Sequence, residues 1–221
     1  MKLWEKLKQQ HTENRLAKKK AEGAAQMEKR VGSAVPQYII CGLGNPGAEY
    51  EKTRHNSGFI ALDYIAQKNG VKVTKLKAKA LTGVGVLEGV PVLLMKPQTY
   101  MNLSGDAVRD AAQFYKIPVE KILVLSDDIS FDVGVMRIRL KGSDGGQKGL
   151  RSIIAQMGSD EFPRIKIGVG KRPAEYDTAD WVLGKFSESD IKTISELLPK
   201  INDAVAEIVK GNAQSAMQKF N

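Results

Sequence analysis

The chain has 221 residues, 42% of them hydrophobic and 27% charged, and carries a formal net charge of +9. That length and balance suit one compact domain with a full core plus a tail. The single cysteine, Cys41, excludes an internal disulfide and fits a reduced, cytoplasmic setting. No run approaches the roughly 20 apolar residues that span a bilayer, and the amino terminus lacks a signal-type apolar region, so a soluble protein is expected.

Residues 1–35 differ from the rest. The first thirty contain nine Lys or Arg against four Glu, and Leu3, Trp4 and Leu7 form a small apolar cluster at helical spacing. The expectation is a basic extension, helical or disordered, ending near Gly32 and Pro36, followed by a domain over 36–221. A passive extension is the plainer reading, and an RNA-binding arm the sharper one.

The apolar run Tyr38–Leu43 predicts a buried strand that ends in the glycine turn Gly42-Leu43-Gly44-Asn45-Pro46-Gly47. This turn also matches the G-x-G-x-x-G dinucleotide pattern. The fingerprint further needs a helix opening at the third glycine and an acid closing a second strand; Pro46 stiffens the turn, and Asp63 falls within an apolar helix pattern. The alternative is a sharp turn that projects Asn45, whose amide both donates and accepts.

Eight residues on lies Thr53-Arg54-His55-Asn56. Histidine exchanges a proton near neutrality, and the only other one, His11, sits in the charged leader, so His55 is the first candidate for acid-base chemistry. A helix from about Gly58 to Lys68 buries Phe59, Leu62, Ile65 and Ala66. Two valine- and leucine-rich runs within 81–95 read as a hairpin around Glu88-Gly89. The segment Lys96–Gly105 then places Tyr100, Met101 and Asn102 at a strand's carboxyl end, before a helix over Ser104–Tyr115 with Ser104 as its N-cap.

Ile122–Leu125 reads as another buried strand, with Ser126-Asp127-Asp128 directly after it. A carboxylate there can orient a histidine; two adjacent acids also suggest magnesium, but no third ligand stands at an obvious position. Arg137, Arg139 and Lys141 alternate along a half-exposed strand, Val135–Leu140, ahead of the glycine-rich loop 142–149, a plausible phosphate cradle or merely a solvated face. A helix near Gly149, a strand over Ile165–Val169 and an amphipathic helix over Glu188–Lys210 follow. Strands and helices interleave, which predicts an α/β domain with a mixed, twisted sheet flanked by helices.

Taken together, the GLGNPG turn, Tyr50 with TRHNSGF, KPQTYMNLSG, the paired Asp, GSDGG with GLRSII, IKIGVGKRP and WVLGKF resemble the bacterial peptidyl-tRNA hydrolases over roughly residues 38–210. The resemblance implies a metal-independent hydrolase of the ester between a peptide and the 3′-terminal ribose of tRNA, with peptidyl-tRNA as its partner; no cofactor, no membrane association and a monomeric state are expected. It implies His55 as general base, Asp127 as its support and Asn45 as the residue that recognises the blocked amino group. Tyr50, Tyr100 and Asn102 fall at positions contacting the peptide-bearing end, and Arg137, Arg139 and Lys166 near the tRNA backbone. Where these proteins usually read Gly-Gly-His-Asn-Gly, this chain has Gly145-Gly146-Gln147-Lys148-Gly149. Lys148 can donate to a phosphate or carbonyl but, when charged, cannot accept. A non-catalytic, RNA-binding relative is the alternative; the presence of His55, Asp127, Asn45 and Asn102, a set that such a chain does not need, favours the enzyme.

Overall fold

The computed structural model describes residues 34–221, and Val35–Asn221 forms one compact unit. The expected extension, with Leu3, Trp4, Leu7 and His11, lies outside the described residues except for its last two positions. Seven strands, β1 (Tyr38–Gly42), β2 (Lys75–Lys77), β3 (Ala80–Leu87), β4 (Val90–Pro97), β5 (Ile122–Asp128), β6 (Met136–Arg139) and β7 (Arg164–Gly168), form one sheet in the order β2-β3-β4-β1-β5-β7-β6. β4, β1, β5 and β7 run parallel; β2, β3 and β6 pair antiparallel at the two sides. The expected mixed α/β sheet is therefore present.

The central strands read as continuous apolar runs because both of their faces are covered. Ile40, Leu123 and Leu125 join one core with Leu62 and Ile65 of α1 (Ser57–Lys68) and with Leu197, Ile201 and Val205 of α5 (Glu188–Val209). Their neighbours Ile39, Cys41, Ile122 and Val124 point the other way, to Val108 and Ala111 of α2 (Ser104–Tyr115) and Leu150 and Ile153 of α3 (Lys148–Met157). The period of two along each strand feeds two separate cores. Helix α5 starts with a capping box, in which Ser187 and Asp190 satisfy each other's backbone N–H.

The order of strands reverses direction at β1: the chain runs from β1 out to β4 on one side, then through α2 to β5 on the other. Ligands in such sheets bind beyond the carboxyl ends of the strands at this switch point. Asn45 follows β1, Tyr100–Asn102 follow β4, and Asp127 lies at the end of β5.

Two expectations need correction, and three elements were not read from the sequence. β5 continues through Asp128, so the paired acids lie within the strand rather than after it. Ser104 is the first helical residue, not the N-cap; its Oγ donates to Met101 O at 2.9 Å, and Leu103 holds the cap position without a side-chain bond. The short strand β2, whose three residues are all exposed, gave no buried alternation to read. Two short helices, α4 (Thr178–Leu183) and α6 (Ala213–Phe220), were not anticipated.

Candidate active site

The turn after β1 and the start of α1 are locked together by close backbone approach. A Cβ on Gly58 would lie 2.4 Å from Leu125 O and 2.5 Å from Leu43 N, and one on Gly42 would lie 2.4 Å from Gly58 O. With no side chain on either residue, Phe59 N reaches Leu43 O at 3.1 Å and Leu43 N reaches Leu125 O at 2.9 Å. The start of α1 is thus pinned over the ends of β1 and β5. His55, three residues before Gly58, is carried to Asp127 as a result, and His55 Nδ1 lies 2.9 Å from Asp127 Oδ2. Both residues are buried, at 8% and 4% exposure, yet both line the cleft described below. The carboxylate oxygen accepts, so Nδ1 carries the hydrogen and Nε2 is left as the basic nitrogen.

Asn45 is held at three atoms. Its side-chain Oδ1 accepts from Met101 N at 2.8 Å, its backbone N donates to Asn56 Oδ1 at 2.8 Å, and its backbone O accepts from Asn56 Nδ2 at 3.0 Å. The Met101 N–H fixes which end of the Asn45 amide is oxygen. Its NH2 group makes no protein hydrogen bond among the described residues and is the end left for a ligand.

The loop between β6 and α3 closes another side. Arg164, fully buried in β7, stacks on Phe162 at 4.1 Å and donates to the carbonyls of Gly142 (2.6 Å), Ser143 (3.2 Å) and Asp160 (2.7 Å). Burial holds its pKa below the ordinary arginine value. At the far end of the loop Gln147 caps α3, accepting from Leu150 N at 2.8 Å and donating to Asp127 Oδ1 at 2.9 Å.

The opposite wall is α4 and the residue before it. Arg54 lies 3.9 Å over the Trp181 ring and donates to Trp181 O at 3.4 Å, while its own backbone N meets Gly184 O at 3.0 Å. Asp177, Thr178, Val182 and Leu183 are thereby set along an open cleft of about 1100 Å³.

His55, Asp127, Asn45, Tyr100, Asn102 and Lys148 all line this cleft. Tyr100, 61% exposed, stands at its mouth, whereas Met101 is buried. Tyr50, Arg137 and Arg139 do not line it. Tyr50 is half-buried and ends a 3-10 turn, Ala48–Tyr50, and the two arginines lie on edge strand β6. Reading the sequence missed Asn56, Gln147, Asp144, Arg151 and the α4 wall. The place of Gln147 in the glycine-rich loop 142–149, just ahead of a helix, was the one available signal.

The acids at the end of β5 are already occupied. Asp127 serves His55 and Gln147; Asp128 accepts from Lys166 Nζ at 2.8 Å and Ser130 N at 2.7 Å. Among the described residues no group of three His, Cys, Asp or Glu is placed to hold a metal ion. The dinucleotide pattern lacks its partners: a 3-10 turn rather than a helix follows Gly47, and Asp63 pairs with Lys96 at 2.7 Å. Cys41 is buried in the core, and burial pushes its thiol far above the range of a nucleophile.

Residues 39–221 match the family model described as peptidyl-tRNA hydrolase. A peptidyl-tRNA hydrolase of Thermoanaerobacter sp. (strain X514) is 52% identical over 184 residues, covering 83% of this chain and 99% of the relative. One from Clostridium perfringens is 50% identical over 183 residues, covering 83% and 96%. The crystal structure of peptidyl-tRNA hydrolase from Acinetobacter baumannii superposes with a TM-score of 0.80 at 35% identity, covering 86% of this chain and 97% of that one.

Proposed function

This chain belongs to the peptidyl-tRNA hydrolase family, and we propose that it hydrolyses the ester joining an N-blocked aminoacyl or peptidyl group to the 3′-terminal ribose of tRNA, with His55 as the general base. The observation that carries the mechanism is the His55–Asp127 contact at the floor of an open cleft, with the Asn45 amide beside it. Asp127 holds Nδ1–H, leaving Nε2 to take a proton from water as the water oxygen attacks the ester carbonyl. The tetrahedral oxyanion collapses, the C–O bond to ribose breaks, and the proton on Nε2 passes to the departing 3′-oxygen. The acid and the tRNA are released without a covalent enzyme intermediate.

Selectivity for a blocked amino group follows from the orientation of Asn45. With Oδ1 occupied by Met101 N, Asn45 offers only NH2, which matches the carbonyl of an N-acyl group. A free ammonium presents donors alone and leaves Asn45 unmatched. Tyr100 and Asn102 line the mouth where the acylated end enters. Tyr50 is assigned to that end as well, on the strength of the sequence resemblance.

Lys148 is exposed at the same opening and supplies a cation to the tRNA strand. Arg137 and Arg139, which have no carboxylate partner among the described residues, extend the basic surface along β6 toward the tRNA backbone. Among the described residues no helix is long and apolar enough to cross a membrane. We further propose that the protein acts as a cytoplasmic monomer, with residues 1–35 as a basic extension to the hydrolase domain.

The test is hydrolysis of an N-blocked aminoacyl-tRNA beside its unblocked form, by wild type and His55→Ala. Release of the blocked amino acid by wild type alone is expected. Binding of tRNA without hydrolysis by wild type would overturn the proposal in favour of a non-catalytic RNA-binding protein.

A further inference from the structure

The side chain of Gln147 spans two jobs. Oε1 accepts the Leu150 N–H at the start of α3, at 2.8 Å, and Nε2 donates to Asp127 Oδ1 at 2.9 Å, with Met101 Sδ 3.2 Å away. The helix start decides the orientation of the amide. A backbone N–H can be met only by the oxygen, so the NH2 must face Asp127. Asp127 in turn uses its second oxygen for His55 Nδ1. A continuous line of hydrogen bonds therefore runs from the backbone of α3 through Gln147 and Asp127 to the imidazole. With both oxygens engaged, the Asp127 carboxylate cannot rotate about its terminal bond without breaking a contact.

We propose that Gln147 is a positioning residue for hydrolysis: it fixes Asp127 so that Oδ2 stays on His55 Nδ1 and Nε2 remains the proton acceptor. The inference rests on the His55–Asp127 reading above. It assigns to Gln147 a task separate from that of its neighbour Lys148, whose side chain is exposed and makes no hydrogen bond or ion pair among the described residues. The other ionisable groups nearby are engaged elsewhere, Asp128 with Lys166 and Asp144 with Arg151. Among the described residues Gln147 is thus the sole side chain other than His55 that hydrogen-bonds Asp127, and it is uncharged at every working pH.

The experiment compares full-length wild type, Gln147→Ser, Gln147→Glu and His55→Ala on an N-blocked aminoacyl-tRNA, with melting temperatures and the proton resonance of His55 Nδ1–H for each folded variant that retains the imidazole. Serine keeps an N-cap oxygen but cannot reach Asp127. Glutamate keeps the cap acceptor and sets an oxygen, not a donor, against the carboxylate. The expected results are a kcat lower by roughly ten- to a hundred-fold in Gln147→Ser, the range for deleting a hydrogen bond to a charged group, with KM and melting temperature near wild type and the Nδ1 resonance displaced. Gln147→Glu is expected to lose more. Wild-type kcat in either variant, a change confined to KM, or a loss of kcat that follows melting temperature while the Nδ1 resonance stays put would each overturn the proposal. Full turnover by His55→Ala would instead remove the base itself, whereas loss in His55→Ala with both Gln147 variants intact would sink the positioning role alone.

Discussion

The side chain of Asn56 grips the peptide group of Asn45 from both ends: Oδ1 accepts from Asn45 N at 2.8 Å, and Nδ2 donates to Asn45 O at 3.0 Å. Asn56 is 2% exposed, and it directly follows His55. One dipeptide therefore carries the proposed base and fixes the backbone of Asn45. Replacing Asn56 with Ala strands a buried donor and a buried acceptor, each costing about 1–3 kcal/mol when unmatched. Thermal unfolding should register a loss of that order, and KM for a blocked aminoacyl-tRNA should rise as Asn45 loses its setting. A variant as stable as wild type would show that water or rearrangement replaces both bonds.

Asp127→Asn should be nearly isosteric and yet inactive. Its oxygen can still meet Gln147 Nε2, which turns the new NH2 toward His55 Nδ1. That nitrogen must then accept, which places the hydrogen on Nε2 and leaves no lone pair for water. A drop in kcat of about 10²–10⁴-fold is expected, the usual contribution of a positioned general base. Melting temperature reports whether the fold is intact, and wild-type turnover would remove the pair from the mechanism.

Trp181→Ala should loosen one wall of the cleft without unfolding the domain. Arg54 loses the ring beneath it, an interaction of about 0.5–2 kcal/mol, and the Arg54 Nε is already buried without a partner. Faster limited proteolysis near residues 171–184, with a lower kcat/KM and an almost unchanged melting temperature, is the expected pattern. A large fall in melting temperature would mean that the wall belongs to the cooperative core.

Acid should weaken the Asp128–Lys166 pair in a predictable direction. Burial by itself would raise the Asp128 carboxyl, but the hydrogen bonds from Lys166 and Ser130 outweigh it and hold the group below its ordinary 3.8. The native state therefore binds this proton less readily than the unfolded chain does. The stabilisation is complete above the ordinary aspartate range and disappears as pH falls through it to the lower native value. Melting temperature measured against pH should fall less steeply on the acid side for Asp128→Asn than for wild type. Parallel curves would assign the acid sensitivity to other carboxylates.

Arg137 and Arg139 lie outside the cleft on edge strand β6, where a long polyanion rather than its reactive end would reach them. Replacing both with Gln should weaken tRNA binding and reduce the slope of log affinity against log salt by about one to two, one for each released counterion. An unchanged slope would put the phosphates elsewhere, with Lys148 and Arg151 next in line.

The elements with apolar periodicity were legible in the sequence. The run Tyr38–Leu43, the spacing of Leu62, Ile65 and Ala66, and the long stripe of α5 each announce a buried face. β2 and α4 were not, because Lys75–Lys77 is wholly exposed and Thr178–Leu183 buries only Val182. His55, Asn45 and Asp127 could be named from residue chemistry and from the motifs around them. Tyr50, Arg137 and Arg139 could be named too, but not their distance from the cleft.

By itself the sequence determined which residues carry a proton, an amide or a charge, and which segments must be buried, since those are properties of side chains and of their spacing. Tertiary structure alone decided the partnerships. Asp127 is 72 positions from His55 and 20 from Gln147, and what brings them together is the approach of Gly42 and Gly58 and the anchoring of the 142–147 loop by Arg164. Hydrogen bonds form over about 3 Å whatever the separation along the chain, so a periodic pattern holds no information about which amide will face which carboxylate.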